Sequence, residues 1–211
     1  MNSKSVDETA KEQARYQGVA RWYDLATRPM ELLGFRRLRR RLWQQVDGAR
    51  VLEIGVGTGV NLSLYPDGSR VVAIDIAPAM LQRAVERARR DSRRVDFLLA
   101  DAQHLPLKDA VFDTVIATCV FCSVPDPQAG LREALRVCAP GGKLRLFEHV
   151  IAKNRLLGRV MRWLNPIAVR IGGENIDRDT VGNVRAAGWT LEREESRMLG
   201  ILKLIYGRPQ P

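Results

Sequence analysis

The sequence predicts an α/β fold with a mostly parallel, seven-stranded sheet and helices on both of its faces. Three observations lead to this prediction. Short apolar runs alternate with amphipathic helical patterns through the middle of the chain, which is typical of parallel strands joined by helices. A glycine-rich turn follows the first apolar run. The last two apolar runs are separated by a connection so short that it permits only antiparallel pairing.

The alternating pattern locates the individual elements. In chain order, the seven strands are predicted at 50–56, 69–76, 95–101, 112–121, 143–150, 189–197 and 201–208. A helix is predicted at 78–90, with Pro78 near its start. Another is predicted at 127–139, where the Pro-Gly-Gly of residues 140–142 would end it.

Two segments fall outside this alternation. Residues 1–46 precede the first strand and are predicted to be helical, with a break near 27–30. We expect them to form a lid over the domain or to contact a membrane. Residues 47–211 form the α/β domain, and residues 151–180 insert a helical segment before its terminal hairpin. One domain with a helical N-terminal lid is therefore the expected organisation.

The chain has 211 residues and a formal net charge of +10 at pH 7. This excess favours nucleic acid, an anionic membrane or an anionic small molecule as partner, although a solvated arginine-rich surface would also explain it. The sequence contains no apolar run of about 18 residues, and its polar N-terminus lacks the pattern of a signal peptide. Three cysteines cannot all pair within the chain, which favours a reducing cytoplasm.

The glycine-rich turn lies in residues 51–61, which read VLEIGVGTGVN. Its three glycines, Gly55, Gly57 and Gly59, depart from the dinucleotide fingerprint G-x-G-x-x-G, because Val60 stands at the position of the third glycine. Glycines after a strand still allow a ligand to approach the backbone closely. The turn therefore predicts a ligand site without identifying the ligand.

Three acidic residues make the prediction more specific. Glu53 lies inside an apolar strand, where a carboxylate needs a partner. Asp75 ends the second strand about 20 residues after Gly55, at the position where an acid accepts hydrogen bonds from ribose hydroxyls. Asp101 ends the third strand, where a polar group could reach an adenine. Because the carboxyl ends of parallel strands gather at one edge of a sheet, these groups should converge on one crevice.

Four consecutive stretches carry a family resemblance. VLEIGVGTG, AIDIAPAML, LADAQHLPLKDAVFDTV and LREALRVCAPGGKL resemble the motifs of class I S-adenosylmethionine-dependent methyltransferases, over about residues 50–150. The resemblance implies a Rossmann-like fold, S-adenosylmethionine as cofactor and methyl transfer as reaction. The implied cofactor-binding residues are Glu53, Gly55, Gly57 and Gly59 toward the methionine part, Asp75 at the ribose, Asp101 and Ala102 beside the adenine, and Thr118, Cys119 and Val120 on the floor, with Asn61, Ile76 and Met80 completing the set.

Methyl transfer from a sulfonium is an in-line displacement in which positioning supplies much of the catalysis, so no metal is expected. The sequence also lacks a His and Cys cluster with metal-ligand spacing. Enzymes that methylate exocyclic base amines carry an Asn/Asp-Pro-Pro-aromatic motif after the fourth strand, where this chain reads TCVFCSVPD. No nucleic-acid partner is therefore expected, and RNA methylation is the weakest alternative.

Two basic amphipathic stretches favour contact with an anionic membrane. Residues 28–46 are rich in arginine, and one face of a helix there would carry Met30, Leu33, Leu38, Leu42 and Val46. In residues 154–166, a second face would carry Leu157, Val160, Met161 and Leu164. The alternative is that both apolar faces cover the sheet.

The segment after the fifth strand carries a second resemblance. Glu148-His149, Asn165-Pro166, a Gly-Gly stretch followed by R-x-T-x-x-x-V-R-x-A-G-aromatic, and RWYDLATRPME at residues 21–31 are similar to small bacterial phospholipid N-methyltransferases and to membrane-associated, thiol-methylating relatives. This implies N-methylation of phosphatidylethanolamine and its methylated derivatives by a cytoplasmic protein that associates peripherally with the membrane. Methylation of a thiol, phenol or quinone at sulfur, oxygen or carbon is the alternative.

The expected acceptor determines the remaining candidate residues. Aromatic rings bind methylated ammonium groups, and an amine must give up a proton before it attacks. The candidate catalytic residues are Tyr16, Tyr23, Glu148 and His149. The candidate substrate-binding residues are Trp22, Phe121, Cys122 and, facing the lipid phosphate, Arg155, Arg159 and Arg170. The oligomeric state stays open.

Overall fold

A computed structural model describes residues 3–152, 154–172 and 175–210. The side chains of residues 3–6, 155, 157 and 167–172 are not among the described ones, so the predicted phosphate contacts of Arg155 and Arg170 lie outside them. The helices are α1 Ser3–Met30, α2 Arg36–Trp43, α3 Pro78–Arg90, α4 Pro127–Val137, α5 Arg155–Gly172 and α6 Thr180–Ala186. The strands are β1 Arg50–Ile54, β2 Arg70–Asp75, β3 Asp96–Leu99, β4 Phe112–Thr118, β5 Cys138–His149, β6 Trp189–Arg197 and β7 Leu202–Pro209.

The seven strands form one sheet in the order β3-β2-β1-β4-β5-β7-β6. Strands β1 to β5 pair in parallel, and β7 runs antiparallel to both β5 and β6. The mostly parallel sheet with an antiparallel terminal hairpin is thus confirmed. From β1 the chain proceeds to β2 and β3 on one side, and then returns to β4 on the other. This reversal of strand order opens a crevice between the carboxyl ends of β1 and β4.

Two predicted boundaries were wrong for local reasons. The fourth strand ends at Thr118 instead of residue 121, because Cys119 adopts a left-handed backbone conformation with a φ of 56°. The Pro-Gly-Gly of residues 140–142 does not separate a helix from a strand. It lies within β5, where the pairing register with β4 shifts between Phe112 and Thr114 and so accommodates the turn residues.

The predicted break near residues 27–30 was also misplaced. Helix α1 continues through Pro29 to Met30, and a π-helical turn, Glu31–Phe35, joins it to α2. The chain changes direction at Gly34, which has a φ of 120°. A glycine tolerates this conformation because it has no Cβ. The predicted continuous apolar face of residues 28–46 is consequently divided into two parts.

The two parts of that face have different environments. Leu42 and Val46 are buried, in a cluster that includes Ile116 of β4. Leu32 and Leu33, in the π-helical turn, are exposed. The part of the face on α2 therefore covers the sheet, and the part in the turn does not.

Different helices cover the two faces of the sheet, because neighbouring residues of a strand point to opposite sides. Leu52 belongs to the core cluster that includes Leu131 of α4, and its neighbour Val51 belongs to the cluster that includes Leu42 of α2. Trp189 closes the first cluster and donates a hydrogen bond from Nε1 to the carbonyl of Leu131 at 2.9 Å. Along the described helices, no stretch combines the length and hydropathy needed to cross a bilayer.

A matched pair of leucine variants tests this division. We expect Leu42→Ala to lower the free energy of unfolding by about 2–5 kcal/mol, because it leaves a cavity in the core. Leu33→Ala should change it by no more than about 0.5 kcal/mol, as for other surface substitutions. Urea denaturation measures both values. Equal losses in the two variants would contradict the packing of α2 against the sheet.

Candidate active site

The crevice at the carboxyl edge of the sheet contains two adjoining open cavities. The first cavity extends over the ends of β2 and β3, and the second extends toward α2 and the end of β5. Five residues line both: Tyr23, Gly55, Gly57, Thr118 and Cys119. The two cavities therefore form one continuous site that meets at the glycine-rich turn and at Tyr23.

The first cavity combines three carboxylates, those of Glu12, Asp75 and Asp101, with an apolar wall. Asp75 accepts hydrogen bonds from the backbone N–H groups of Gly57 at 2.8 Å and Ala77 at 2.9 Å, while burial raises the pKa of its carboxyl group. Asp101 accepts a hydrogen bond from the backbone N–H of Gln103 at 2.9 Å. The remaining predicted residues on this wall are Ile76, Met80, Ala102 and Val120.

The three glycines of the turn meet three different requirements. A Cβ at Gly55 would come within 2.4 Å of the Val120 side chain. A Cβ at Gly59, which does not line either cavity, would lie 3.1 Å from the backbone of Ala84 in α3. A Cβ at Gly57 would meet no atom within 4 Å. Only Gly57 therefore leaves open space where a ligand can approach the backbone.

Glu53 is fully buried and is not among the residues lining either cavity. Its carboxylate accepts hydrogen bonds from the Tyr65 hydroxyl and from Asn61 Nδ2, the latter at 2.6 Å. Asn61 Nδ2 also donates to Thr118 Oγ1 at 3.0 Å. Burial raises the pKa of Glu53 to about 7, against the opposing effect of these hydrogen bonds. Glu53 thus orients Asn61, which lines the second cavity, instead of facing the ligand itself.

The side-chain oxygen of Asn61 is a candidate ligand contact. Asn61 Oδ1 is buried and has no hydrogen-bond partner among the described residues. The geometry of Asn61 Nδ2 with Glu53 fixes which end of the amide faces the cavity. We expect a ligand or a water molecule to donate a hydrogen bond to Asn61 Oδ1, because a buried acceptor without a hydrogen bond raises the free energy of the folded protein.

The second cavity holds a charged pair that the sequence analysis did not single out. Arg39 is buried and forms an ion pair with Glu31, and both residues line the cavity. Burial lowers the pKa of the Arg39 guanidinium. Arg39 is one of five arginines in residues 36–41. Helical spacing places it on the same face as Leu42 and Trp43, and this spacing could have indicated from the sequence that Arg39 is buried.

His149 lies at the end of β5 and lines the second cavity. Its Nδ1 atom is buried and has no hydrogen-bond partner within the described part of the chain. Burial lowers the pKa of the imidazole, so the ring is uncharged at neutral pH. A neutral imidazole with an available nitrogen can accept a proton from a group in the cavity.

Helix α1 lies against the crevice. The carboxylate of Asp24 accepts hydrogen bonds from Thr58 Oγ1 in the glycine-rich turn and from Arg87 in α3, the latter at 2.6 Å. Gln13 Nε2 donates to the carbonyl of Ile76 at 3.0 Å. The inner face of α1 contributes Tyr16 and Tyr23, whose ring centroids are 6.4 Å apart, to the first cavity.

Several other predicted site residues lie elsewhere. Trp22 is exposed on the outer side of α1, and Phe121 and Cys122 are buried in the protein interior without lining either cavity. The buried Glu148 carboxylate accepts hydrogen bonds from the backbone N–H groups of Val120 and Phe121, which gives it the role of holding that loop. Arg159 lies on the exposed surface of α5. Among the described side chains, no group of three metal-ligating residues is found.

Comparison with known proteins identifies the family. A family model described as a methyltransferase domain matches residues 52–146. A demethylmenaquinone methyltransferase from Mycolicibacterium gilvum is 33% identical, with 97% of both chains covered. The chain belongs to the class I S-adenosylmethionine-dependent methyltransferases.

Two further relatives of this methyltransferase are informative. A phosphatidylethanolamine N-methyltransferase from Cereibacter sphaeroides is 38% identical over 53% of this chain and 57% of its own length. A solved structure from Thermotoga maritima, described as a SAM-dependent methyltransferase and possible histamine N-methyltransferase, superimposes with a TM-score of 0.68. That match is 22% identical and covers 91% of this chain and 98% of the other, which supports the fold.

The residues of this methyltransferase fit S-adenosylmethionine, which supplies an activated methyl group when bound. Gly57 leaves room for close approach, and Asn61 Oδ1 has an open acceptor position that suits the ammonium of the methionine part. Arg39 suits the methionine carboxylate. Asp75 and Asp101 stand at the ends of β2 and β3, at the positions predicted for ribose and adenine contacts.

We expect Asp75→Ala to weaken binding of S-adenosylmethionine by about 1–3 kcal/mol, because a charged hydrogen-bond acceptor for the ribose is lost. Isothermal titration calorimetry measures the affinity. Glu86→Ala, which removes an exposed carboxylate from α3, is the matched control and should leave the affinity unchanged. Unchanged affinity in a folded Asp75→Ala protein would remove Asp75 from the site.

Arg39→Gln should weaken S-adenosylmethionine binding by about 1.5–3 kcal/mol, because a charge-assisted contact with the methionine carboxylate is lost. The matched control is Arg40→Gln, which removes the adjacent, exposed guanidinium. Calorimetry compares the two variants, and thermal melting verifies that both are folded. The same affinity in both variants would show that Arg39 does not contact the cofactor.

The raised pKa of Glu53 predicts a pH-dependent stability. The folded protein holds the Glu53 proton more tightly than the unfolded chain does, so this contribution to stability is present at low pH and is lost as pH rises toward 7. Between pH 5 and 8, the wild type should lose about 2–3 kcal/mol of unfolding free energy relative to Glu53→Gln. Denaturation at several pH values measures the difference. Parallel profiles would indicate that Glu53 ionises normally.

Proposed function

We propose that this methyltransferase transfers a methyl group to the amine of phosphatidylethanolamine and of its partly methylated derivatives. The observation that carries the proposal is the lining of the second cavity. It combines the aromatic ring of Tyr23, the carboxylate of Glu31 and the uncharged imidazole of His149. A carboxylate and an aromatic face both attract a cationic head group, and the imidazole can take up its proton.

The chain's residues divide the work as follows. Glu31 attracts the ammonium form of the acceptor into the cavity. His149 accepts the proton that the ammonium must lose, which frees the nitrogen lone pair for attack on the methyl carbon. The ring of Tyr23, where the two cavities meet, stabilises positive charge on the nitrogen as methyl groups accumulate. Helix α1 limits the access of water to the reacting groups.

Similarity to known enzymes supports the proposal only in part. The phosphatidylethanolamine N-methyltransferase from Cereibacter sphaeroides matches this chain over about half of its length. The second resemblance in the sequence, in RWYDLATRPME and the segment after β5, extends the likeness to phospholipid N-methyltransferases into regions outside the cofactor motifs.

A second candidate is methylation of a quinone at carbon. It is favoured by the full-length similarity to the demethylmenaquinone methyltransferase of Mycolicibacterium gilvum. His149 would then accept a hydroxyl proton from the reduced ring, so the same imidazole serves either acceptor. Glu31 supports the amine candidate, because a carboxylate in the cavity lining attracts a cationic acceptor and gives no such advantage to an uncharged ring.

An acceptor panel tests the proposal. Purified protein is incubated with S-adenosylmethionine labelled in its methyl group and, separately, with detergent-dispersed phosphatidylethanolamine, reduced demethylmenaquinone, a hydrophobic thiol or tRNA. We expect label in the phosphatidylethanolamine sample and, with time, in its dimethylated and trimethylated forms. The Asp75→Ala protein provides the cofactor-deficient control.

The outcomes separate the candidates. Label in the quinone sample alone would establish the second candidate and overturn the first. Label in the thiol or tRNA sample alone would overturn both. The rate with phosphatidylethanolamine should rise as pH increases through the lowered pKa of His149, because only the neutral imidazole accepts a proton.

Tyr23→Ala should lower turnover of phosphatidylethanolamine at least about tenfold, because the aromatic face contributes about 0.5–2 kcal/mol to binding a cation and also borders both cavities. Tyr23→Phe should have a smaller effect if the ring face is what matters. Lys11→Ala, on the exposed surface of α1, is the control. Steady-state kinetics compare the variants, and wild-type turnover in Tyr23→Ala would contradict a role for this ring.

A further inference from the structure

The most exposed apolar side chains of the described residues occur in three short segments. These are the π-helical turn after α1, helix α5 and the turn Met198–Gly200 between β6 and β7. Five large side chains in them are between 71% and 87% exposed: Leu32, Leu33, Leu156, Trp163 and Leu199. Helices α3, α4 and α6, all fully described, have no exposed large apolar side chain. Helix α1 also exposes Trp22 and Leu25, each at 61%, so exposed apolar surface is concentrated in the three segments without being confined to them. Such a concentration indicates an interaction surface.

All three segments lie at the carboxyl edge of the sheet, where the crevice opens. Glu31, adjacent to Leu32, lines that cavity. His149 lines it from the end of β5, and the next residue, Val150, donates its N–H to the carbonyl of Ile201 beside the Met198–Gly200 turn. Helix α5 follows β5 directly, and Met161 Sδ accepts a hydrogen bond from the N–H of Ala152 at 3.4 Å. The exposed apolar residues therefore lie at the edge of the sheet where the two cavities are found.

The charge of these segments is almost entirely positive. Arg36 and Arg37 are exposed directly after the π-helical turn, and Arg159 and Arg162 are exposed on α5. Residues 28–46 contain a single acid, Glu31, which pairs with the buried Arg39, and residues 154–166 contain none. Exposed apolar residues flanked by arginines are complementary to a bilayer with anionic head groups.

We propose that these segments form a docking surface for an anionic phospholipid bilayer. The docking surface consists of Leu32, Leu33, Leu156, Trp163 and Leu199, with Arg36, Arg37, Arg159 and Arg162 around them. The apolar side chains enter the interfacial region, the guanidinium groups contact anionic head groups, and the second cavity opens toward the lipid layer. The orientation relative to a lipid acceptor rests on the proposed function, whereas binding to the bilayer does not depend on it.

Vesicle flotation with the full chain tests the docking surface. The probes are vesicles of phosphatidylcholine alone and of phosphatidylcholine with about one third phosphatidylglycerol. We expect at least tenfold tighter binding to the anionic vesicles at low salt, and release as salt screens the arginines. The double variant Leu33→Ser, Trp163→Ser and the double variant Arg159→Gln, Arg162→Gln should each weaken binding at least tenfold.

The control is Arg89→Gln with Arg90→Gln. These exposed arginines end α3 at the opposite edge of the sheet, and their loss removes the same charge as the α5 pair. We expect a change of less than twofold. Binding that falls equally in both arginine double variants would show that total charge, and not this surface, attracts the protein. The proposal would then be overturned.

Two further outcomes would overturn the docking surface: equal binding to neutral and anionic vesicles, or no binding to either. Light scattering would then test for dimers disrupted by Leu33→Ser, Trp163→Ser, which would assign the surface to a second copy of the chain. The vesicle-binding experiment and the acceptor panel test the two proposals independently. Binding without methylation of phosphatidylethanolamine would remove the proposed function alone, and methylation in detergent without vesicle binding would remove the docking surface alone.

Discussion

The side chain of Glu53 lies at the centre of the sheet without exposure to water, and its two oxygens hold Asn61 and Tyr65. Through Asn61 the network reaches Thr118 at the end of β4, so it joins the two strands between which the crevice opens. A buried carboxylate is stable only while its hydrogen bonds are made. The position of the glycine-rich turn relative to β4, and with it the shape of the cofactor site, depends on this network.

The lid is connected to the same turn. Asp24 accepts a hydrogen bond from Thr58, which lies between Gly57 and Gly59, and forms an ion pair with Arg87 of α3. Helix α1 is therefore attached directly to the glycine-rich turn and to α3. Its inner face supplies Tyr16 and Tyr23 to the site, and the chain that follows it supplies Glu31 and Arg39. The two cavities are consequently joined through one short segment of backbone that includes Gly55 and Gly57.

The parts of the site that follow from local sequence were predictable. Asp75 ends the apolar strand β2 and Asp101 follows β3 closely, and parallel strands bring their carboxyl ends to one edge. The antiparallel terminal hairpin was expected from its short connection. These features depend on neighbours in sequence and on the rules of βα connection, which is why they could be inferred without the structure.

Other parts depend on tertiary packing, which the sequence does not display. In the sequence, Arg39 cannot be told from the neighbouring arginines. The packing of α2 against the sheet places its side chain in the lining of the second cavity. Glu148 and His149 are adjacent in β5, and alternation along the strand allows only one of them to face the cavity. Trp22 and Tyr23 are separated in the same way by the position of α1. In each case, the face of the helix or strand that packs inward determines which residue lines the cavity.

The same reasoning applies to the amphipathic segments. Helical periodicity placed Leu33 and Leu42 on one face, but Gly34 interrupts the helix and gives them opposite environments. A glycine in a sequence is compatible with a helix break and with a helix interior, and only the structure shows that Gly34 has a positive φ. Separating the exposed apolar residues from the core residues therefore required the structure.

The most direct test of the central claim is the crystal structure of the full chain with S-adenosylhomocysteine. Our account predicts the ribose hydroxyls within hydrogen-bond distance of Asp75, the adenine beside Asp101, and the ammonium of the amino-acid part at Asn61 Oδ1, with Asn61 Nδ2 still bonded to Glu53. A product bound outside the crevice, or an Asn61 released from Glu53 and turned away from the ligand, would contradict it.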